Sequence, residues 1–202
     1  MAKGTLVKKA DPVFIVYADY GDRYCVLDGL QNVEDDYEIS KGISRAKDFP
    51  ADACFRMSNQ HKKHVALSDG LHVLGRQLVV SPRLKAFIEA RNPPKVEYLK
   101  VTILNHKGKP IPETYHIVNP LAVVDCIDTK KSKLEWNAID EELICGVYKL
   151  VLKTDAIDPN LLLFRPKHLE HRVFIQRAFG EEMRAAGFTA LRFKEPSTWI
   201  GA

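Results

Sequence analysis

The chain has 202 residues, 46% of them hydrophobic and 28% charged, with a formal net charge of +4. A chain this long hides roughly 70% of its unfolded surface, so a core forms without staples, and so mild a basic excess falls short of the dense face that nucleic-acid binding needs. Cys25, Cys54, Cys126 and Cys145 never form a C-x-x-C pair, the N-terminus has no signal-like apolar stretch and no apolar run is long enough to span a bilayer, which excludes a zinc ribbon, a disulfide framework and a membrane anchor and makes a reduced cytoplasm the expected setting.

Residues 1–10 read as a loose basic tip. Val13, Phe14, Ile15, Val16 and Tyr17 form a β-branched and aromatic run, hence a strand, and Gly21 turns the chain within residues 19–22. Residues 28–50 read as loop with one helical turn. Residues 53–57 form a short strand, and residues 58–64 are polar, basic and exposed.

Leu78, Val79 and Val80 signal a buried strand, and Ser81-Pro82 supplies a helix N-cap followed by a proline at the first helical position. Leu84, Phe87 and Ile88 share a helical face until Asn92-Pro93-Pro94 stops the helix. Residues 95–104 alternate apolar and polar, turn at Lys107-Gly108 and return over residues 114–118 as a hairpin. Asn119-Pro120 is expected to break the chain and shape a turn, with Val123 and Val124 in a core run over residues 121–127. Residues 128–139 are a polar stretch holding Trp136. Residues 147–152, 161–164 and 173–175 read as strands. A helix over residues 176–186 presents Phe179, Met183 and Ala186 on one side, Gly187 caps it in the left-handed conformation, and residues 188–193 make a last strand. Strand, helix, strand thus occurs twice. The predicted fold class is α+β: a single domain over residues 1–202, with a mostly antiparallel sheet and two or more helices packed on it.

Catalysis needs a nucleophile or an acid–base pair held in place. The chain contains no G-x-S-x-G, no G-x-x-x-x-G-K-[ST] and no H-E-x-x-H. His61 with His64, and His168 with His171, have helical spacing for a shared metal, but lysines and arginines flank both pairs and oppose a cation, so exposed histidines without metal are expected. Asp125, Cys126 and His116 can be drawn as a Cys-His-Asp set, yet Cys126 lies in an apolar run and reads as core, as does Cys145. Two acidic clusters remain. Glu34, Asp35, Asp36 and Glu38 surround Tyr37, and Asp140, Glu141 and Glu142 follow Trp136. Either cluster is a solvated face or, with an aromatic anchor among charges, a docking patch for a basic partner. Trp136 itself reads equally as anchor or as core.

Four segments carry a family resemblance: YHIVNPLAVVDCID at residues 115–128, YKLVLKTDAIDPNLLLF at 148–164, VFIQRAFGEEMRAAGFTALRF at 173–193 and, more weakly, LVVSPRLKAFI at 78–88. In this order, across residues 70–195, they resemble the Myxococcus-type immunity proteins of bacterial polymorphic toxin systems. The resemblance implies one α+β domain and a cognate toxin protein as partner, encoded by an adjacent gene and delivered between cells by contact-dependent secretion such as type VI. It implies stoichiometric blocking, with no catalytic residue, cofactor or metal. Residues 1–70 carry no resemblance. The family tends to place a glycine near Ala190, and an alanine there predicts an ordinary strand conformation.

An immunity protein acting by occlusion fits the empty catalytic search, with Glu34, Asp35, Asp36, Tyr37, Glu38, Trp136, Asp140, Glu141 and Glu142 as partner-binding residues. An enzyme that reverses a toxin's modification would draw on Asp125, Asp128, His116 and Arg165. A nucleic-acid module would use Lys62, Lys63, Lys130, Lys131 and Lys133, but no aromatic platform interleaves with them.

Overall fold

The computed structural model describes residues 12–19 and 23–201; the expected basic tip at residues 1–10 and most of the turn within residues 19–22 lie outside the described residues. In chain order the elements are β1 (Val13–Ala18), β2 (Val26–Leu27), α1 (Tyr37–Ser40), β3 (Cys54–Arg56), β4 (Gly70–Val73), β5 (Leu78–Val80), α2 (Pro82–Glu89), β6 (Val96–Leu104), β7 (Tyr115–Pro120) and β8 (Val123–Val124). There follow β9 (Lys133–Trp136), β10 (Ile144–Lys149), β11 (Leu163–Pro166), β12 (Val173–Gln176), α3 (Arg177–Ala185) and β13 (Leu191–Lys194).

The strands make a five-stranded sheet in the order β13-β1-β12-β11-β8, a six-stranded sheet in the order β2-β4-β5-β7-β6-β3, and a hairpin of β9 with β10. The expected antiparallel pairing holds inside both large sheets. It fails at three of their four edges, where β8, β2 and β3 each pair parallel. These three edge strands reach their partners through long excursions of chain, and a parallel register requires such a crossover in place of a tight turn. The single expected sheet is therefore two sheets and a hairpin.

Strand β1 explains why its apolar run is continuous. Val13 and Ile15 join the core that holds Phe164, Leu169 and Phe174, whereas Phe14 and Val16 join the core that holds Leu84, Ile88, Phe179 and Met183. A strand covered on both faces has no polar side to alternate with. Strand β5 is shared in the same way: Leu78 and Val80 meet the helices, and Val79 turns to the core of the six-stranded sheet around Phe55, Leu71 and Ile117. Helices α2 and α3 both contribute to the core that β1, β5 and β12 share.

The local signals for the helices are present as read. Ser81 Oγ accepts the Leu84 backbone N–H at 3.1 Å, and Pro82 opens α2. Gly187 follows α3 with a φ of +65°. Three expectations near the family-like segments need correction. Asn119-Pro120 does not break the chain: both residues belong to β7, opposite Glu97 and Val96 of β6. Val123 is not core; it is 45% exposed in the short edge strand β8, where Val124 is half-buried against the core, and full burial in that run passes to Ala122, Cys126 and Ile127. The polar stretch at residues 128–139 contains β9, which pairs with β10.

Ala190 is a further correction, because its φ is +55° and not that of a strand. The conformation has a cause. The turn after α3 must present the Thr189 N–H and hydroxyl to Asp69 Oδ2, at 2.9 and 3.1 Å, and the Ala190 carbonyl to the Asp19 N–H at 2.9 Å. These bonds tie the two sheets together and hold an alanine where glycine is at ease. A left-handed alanine costs about 1–2 kcal/mol, against about 0.4–1 kcal/mol for the extra freedom glycine gives the unfolded chain. Ala190→Gly is therefore expected to raise stability by up to about 1 kcal/mol. A lowered urea midpoint at unchanged slope would count against this account.

Candidate functional site

Arg165 is the largest fully buried side chain, only 1% exposed. It has no carboxylate within ion-pair distance among the described residues, and its donors go to neutral oxygens. Nε donates to the Pro120 carbonyl at 3.0 Å, and one terminal nitrogen donates to the Glu170 carbonyl at 2.7 Å. The other terminal nitrogen donates to the Ile39 carbonyl and to Asn119 Oδ1, both at 3.0 Å. Burial pulls its pKa down to about 10, partly offset by Glu170, so the guanidinium stays charged at neutral pH. Gly42, at φ +75°, closes over it: a Cβ there would stand 3.0 Å from the Pro120 carbonyl and 3.1 Å from Arg165 Cδ. Only glycine satisfies both the left-handed backbone and the close approach.

The four acceptors of Arg165 belong to three separate stretches of chain: helix α1, the end of β7, and the loop after β11. Two of those stretches, α1 and the loop after β11, are walls of an open groove of about 370 Å³. Tyr37, Ser40, Lys41 and Ile43 line one side, Val123 another, and Glu170 with His171 a third. Asp140, Glu142 and Leu143 from the hairpin tip close it. The α1 wall is held in place from behind. Arg45 donates to the Glu34 carbonyl and to Glu38 Oε2, each at 3.0 Å, while Glu97 accepts from Ser44 Oγ at 2.8 Å, the Arg45 N–H at 3.0 Å and Asn119 Nδ2 at 2.8 Å.

The second acidic cluster reaches the groove with its carboxylates, whereas the first contributes only its aromatic residue, Tyr37. In the first, Tyr37 lines it and is 54% exposed, Glu34 and Asp35 are exposed just before α1, Asp36 is half-buried at the N-cap position of α1, and Glu38 is engaged with Arg45. In the second, Asp140 and Glu142 line the groove, and Glu141 is exposed between them. Trp136 does not line the groove; it is 39% exposed, with its ring edge-on to His168 at 5.4 Å. His168 in turn bonds the Glu142 carbonyl through Nδ1 at 2.7 Å; since a carbonyl can only accept, that nitrogen carries the proton. The sequence missed Ile43, Val123, Arg76 and Glu170 as groove residues. No local signal marks them, because they meet only through the fold.

His171, expected to be exposed, is 8% exposed. Burial, then Arg76, Arg172 and Arg165, push its pKa down to about 3 from the ordinary 6.5. The folded chain refuses a proton that the unfolded chain accepts. The stabilisation is therefore complete above pH 6.5 and is lost as pH falls toward 3; the slope from this one group is at most about 1.4 kcal/mol per pH unit. His171→Gln is expected to flatten the fall in unfolding free energy between pH 7 and pH 5. An unchanged slope would mean that another group carries it.

Asp125, Asp128 and His116, named for the enzymatic alternative, have other charged neighbours. Asp125 bonds Lys153 Nζ at 2.6 Å, which holds its carboxyl below the usual range, and Asp128 pairs with Lys131 at 3.1 Å with the same effect. His116, on β7, is kept neutral by burial and has Lys85, Glu89 and Lys100 as its charged neighbours. Burial raises the Cys126 thiol to about 12, leaving it a packing group. Cys145, read as core, is only partly buried. Among the described residues, no group of three or more His, Cys, Asp and Glu side chains could hold a metal ion, and no helix is long and apolar enough to cross a membrane.

The model of the Immunity protein family (Imm11) matches residues 30–198. The chain belongs to this family. The family match begins well before residue 70, so it takes in α1 and the first acidic cluster, where the sequence reading found no resemblance. Every wall of the groove lies within it. No curated protein matches the chain.

Proposed function

We propose that the chain is one immunity domain over residues 1–202 that neutralises a cognate toxin by stoichiometric occlusion, and that the groove between α1 and the β9–β10 hairpin tip is where the toxin docks. The observation that carries this reading is a groove whose walls expose Tyr37, Ile43 and Val123 beside the carboxylates of Asp140, Glu142 and Glu170. An apolar and aromatic centre with charged flanks is how a docking face is composed, the aromatics supplying anchors and the charges supplying steering and register. Glu34, Asp35, Asp36, Tyr37, Glu38, Trp136, Asp140, Glu141 and Glu142 form the contact set, and the toxin presents a basic face to them. The protein acts in the cytoplasm, without enzymatic turnover, cofactor, nucleic acid or membrane. Its toxin is encoded by the adjacent gene and arrives by contact-dependent secretion.

The test is co-expression with the product of the neighbouring gene. Restored growth together with a 1:1 complex is the expected result. Restored growth without a complex would replace occlusion by an enzymatic reversal of the toxin's damage.

A further inference from the structure

Next to the groove lies a second, smaller cavity of about 110 Å³, walled by β1, the turn between β4 and β5, and the start of β12. Its charged lining has one sign. Arg76 and Arg172 line it together with the rings of His72 and His171, and no carboxylate does. Arg76 and His171 line the docking groove as well, so the two spaces are neighbours. Arg76 is exposed in the turn and takes part in none of the ion pairs formed among the described residues. Two other lining side chains are more than nine-tenths buried and leave a polar atom without a hydrogen bond: His171 at Nε2 and Gln77 at Oε1. Buried polar atoms normally find a partner, and each one that does not calls for an explanation.

We infer that this cavity is a socket for a compact oxyanion, held by the Arg76 guanidinium and by His171 Nε2. The chemistry is complementary in each respect. A guanidinium offers paired N–H donors to two oxygens of a carboxylate or phosphate. An imidazole N–H directed at the same anion satisfies the atom now left unpaired, and Arg172 adds positive charge to the wall. A carboxamide can turn to present its NH2 group where an acceptor arrives, which gives Gln77 a place in the same site. The anion also offsets the positive charge around His171, which burial and then the surrounding arginines now keep neutral. Carboxylate and phosphate share this chemistry, the first as the end of a protein side chain and the second as a free or ligand-borne group.

The experiment needs only the isolated chain, so its failure leaves the toxin-docking reading standing. Histidine ring signals are followed by NMR at pH 6 while sodium acetate or sodium phosphate is added, with sodium chloride at matched ionic strength as control. The expected result is a saturable shift of the His171 signal by at least one oxyanion, with none from chloride, and at least a tenfold weakening in Arg76→Gln. Arg76 is an exposed turn residue, so this variant keeps the fold, and Arg76→Lys is expected to recover part of the affinity. A response to acetate alone assigns the socket to a carboxylate side chain, a response to phosphate alone to a phosphate-bearing ligand, and a response to both to the shared chemistry. An unresponsive His171, or a full response in Arg76→Gln, overturns the inference.

Discussion

Reversing the charge at Asp140 and Glu142 together is expected to weaken the complex with the toxin by about a hundredfold or more, while leaving the unfolding free energy within about 0.5 kcal/mol of the parent. Both side chains are exposed, and their polar contacts are local: Asp140 Oδ1 accepts the Glu142 N–H at 3.2 Å, within the hairpin tip itself. Placing two lysines opposite a basic face converts attraction to repulsion, and a hundredfold loss corresponds to about 2.7 kcal/mol. Tyr37→Ala should cost a comparable amount by another route, since it removes an exposed ring at the groove wall, and aromatic anchors of this kind carry about 2 kcal/mol or more. The two effects separate by salt. The lysine pair should act mostly on the association rate and fade as ionic strength rises, whereas the tyrosine loss should appear in the dissociation rate at any salt. Surface plasmon resonance at two salt concentrations distinguishes them. If the lysine pair binds like the parent, the groove is not the docking face, and the family membership is unaffected.

Arg165→Met is expected to cost about 3–5 kcal/mol of folding free energy, a large share of the total for a domain of this size. Methionine fills part of the volume but donates nothing, so the Pro120, Glu170 and Ile39 carbonyls and Asn119 Oδ1 all lose a buried donor at once. Each such loss costs about 1–3 kcal/mol before relaxation. Arg165→Lys retains charge, yet a single ammonium cannot span acceptors on three stretches of chain, and an intermediate loss is expected. A urea midpoint within about 1 kcal/mol of the parent for the methionine variant would sink the idea that this residue organises the groove. Because two of those stretches, α1 and the loop after β11, are groove walls, both variants should also bind the toxin less tightly. This contrasts with the lysine pair at the hairpin tip, which leaves the fold intact.

The secondary structure was legible wherever its determinants are local. Ser81-Pro82 opens α2, Gly187 follows α3, and the alternation in residues 95–104 becomes β6. The sequence was misleading where a residue's role depends on distant partners. Asn119-Pro120 looks like a turn, but Asn119 is fully buried because Arg165 and Glu97 converge on it from other elements. Ala190 looks like a strand residue, and its left-handed backbone is imposed by bonds to Asp69 and Asp19 that only the folded chain makes. The same division applies to the site. Both acidic clusters stand out in the sequence by composition. The joining of the α1 wall to the loop after β11 depends on Arg165, which on sequence alone was no more than a weak enzymatic candidate.

The tip of the β9–β10 hairpin supports itself. Asn137 Oδ1 accepts the N–H groups of Ile139 and Asp140 at 2.8 and 3.0 Å, and the Asn137 N–H reaches the Leu143 carbonyl at 2.8 Å. The side chain of Ile139 is meanwhile 97% exposed. With its shape set by one asparagine, the outward positions 138, 139, 141 and 142 can be rewritten without disturbing strand register. Such a fingertip lends itself to grafting: exchanging those few positions between relatives would retarget the scaffold against a different poison while the body beneath stays as it is.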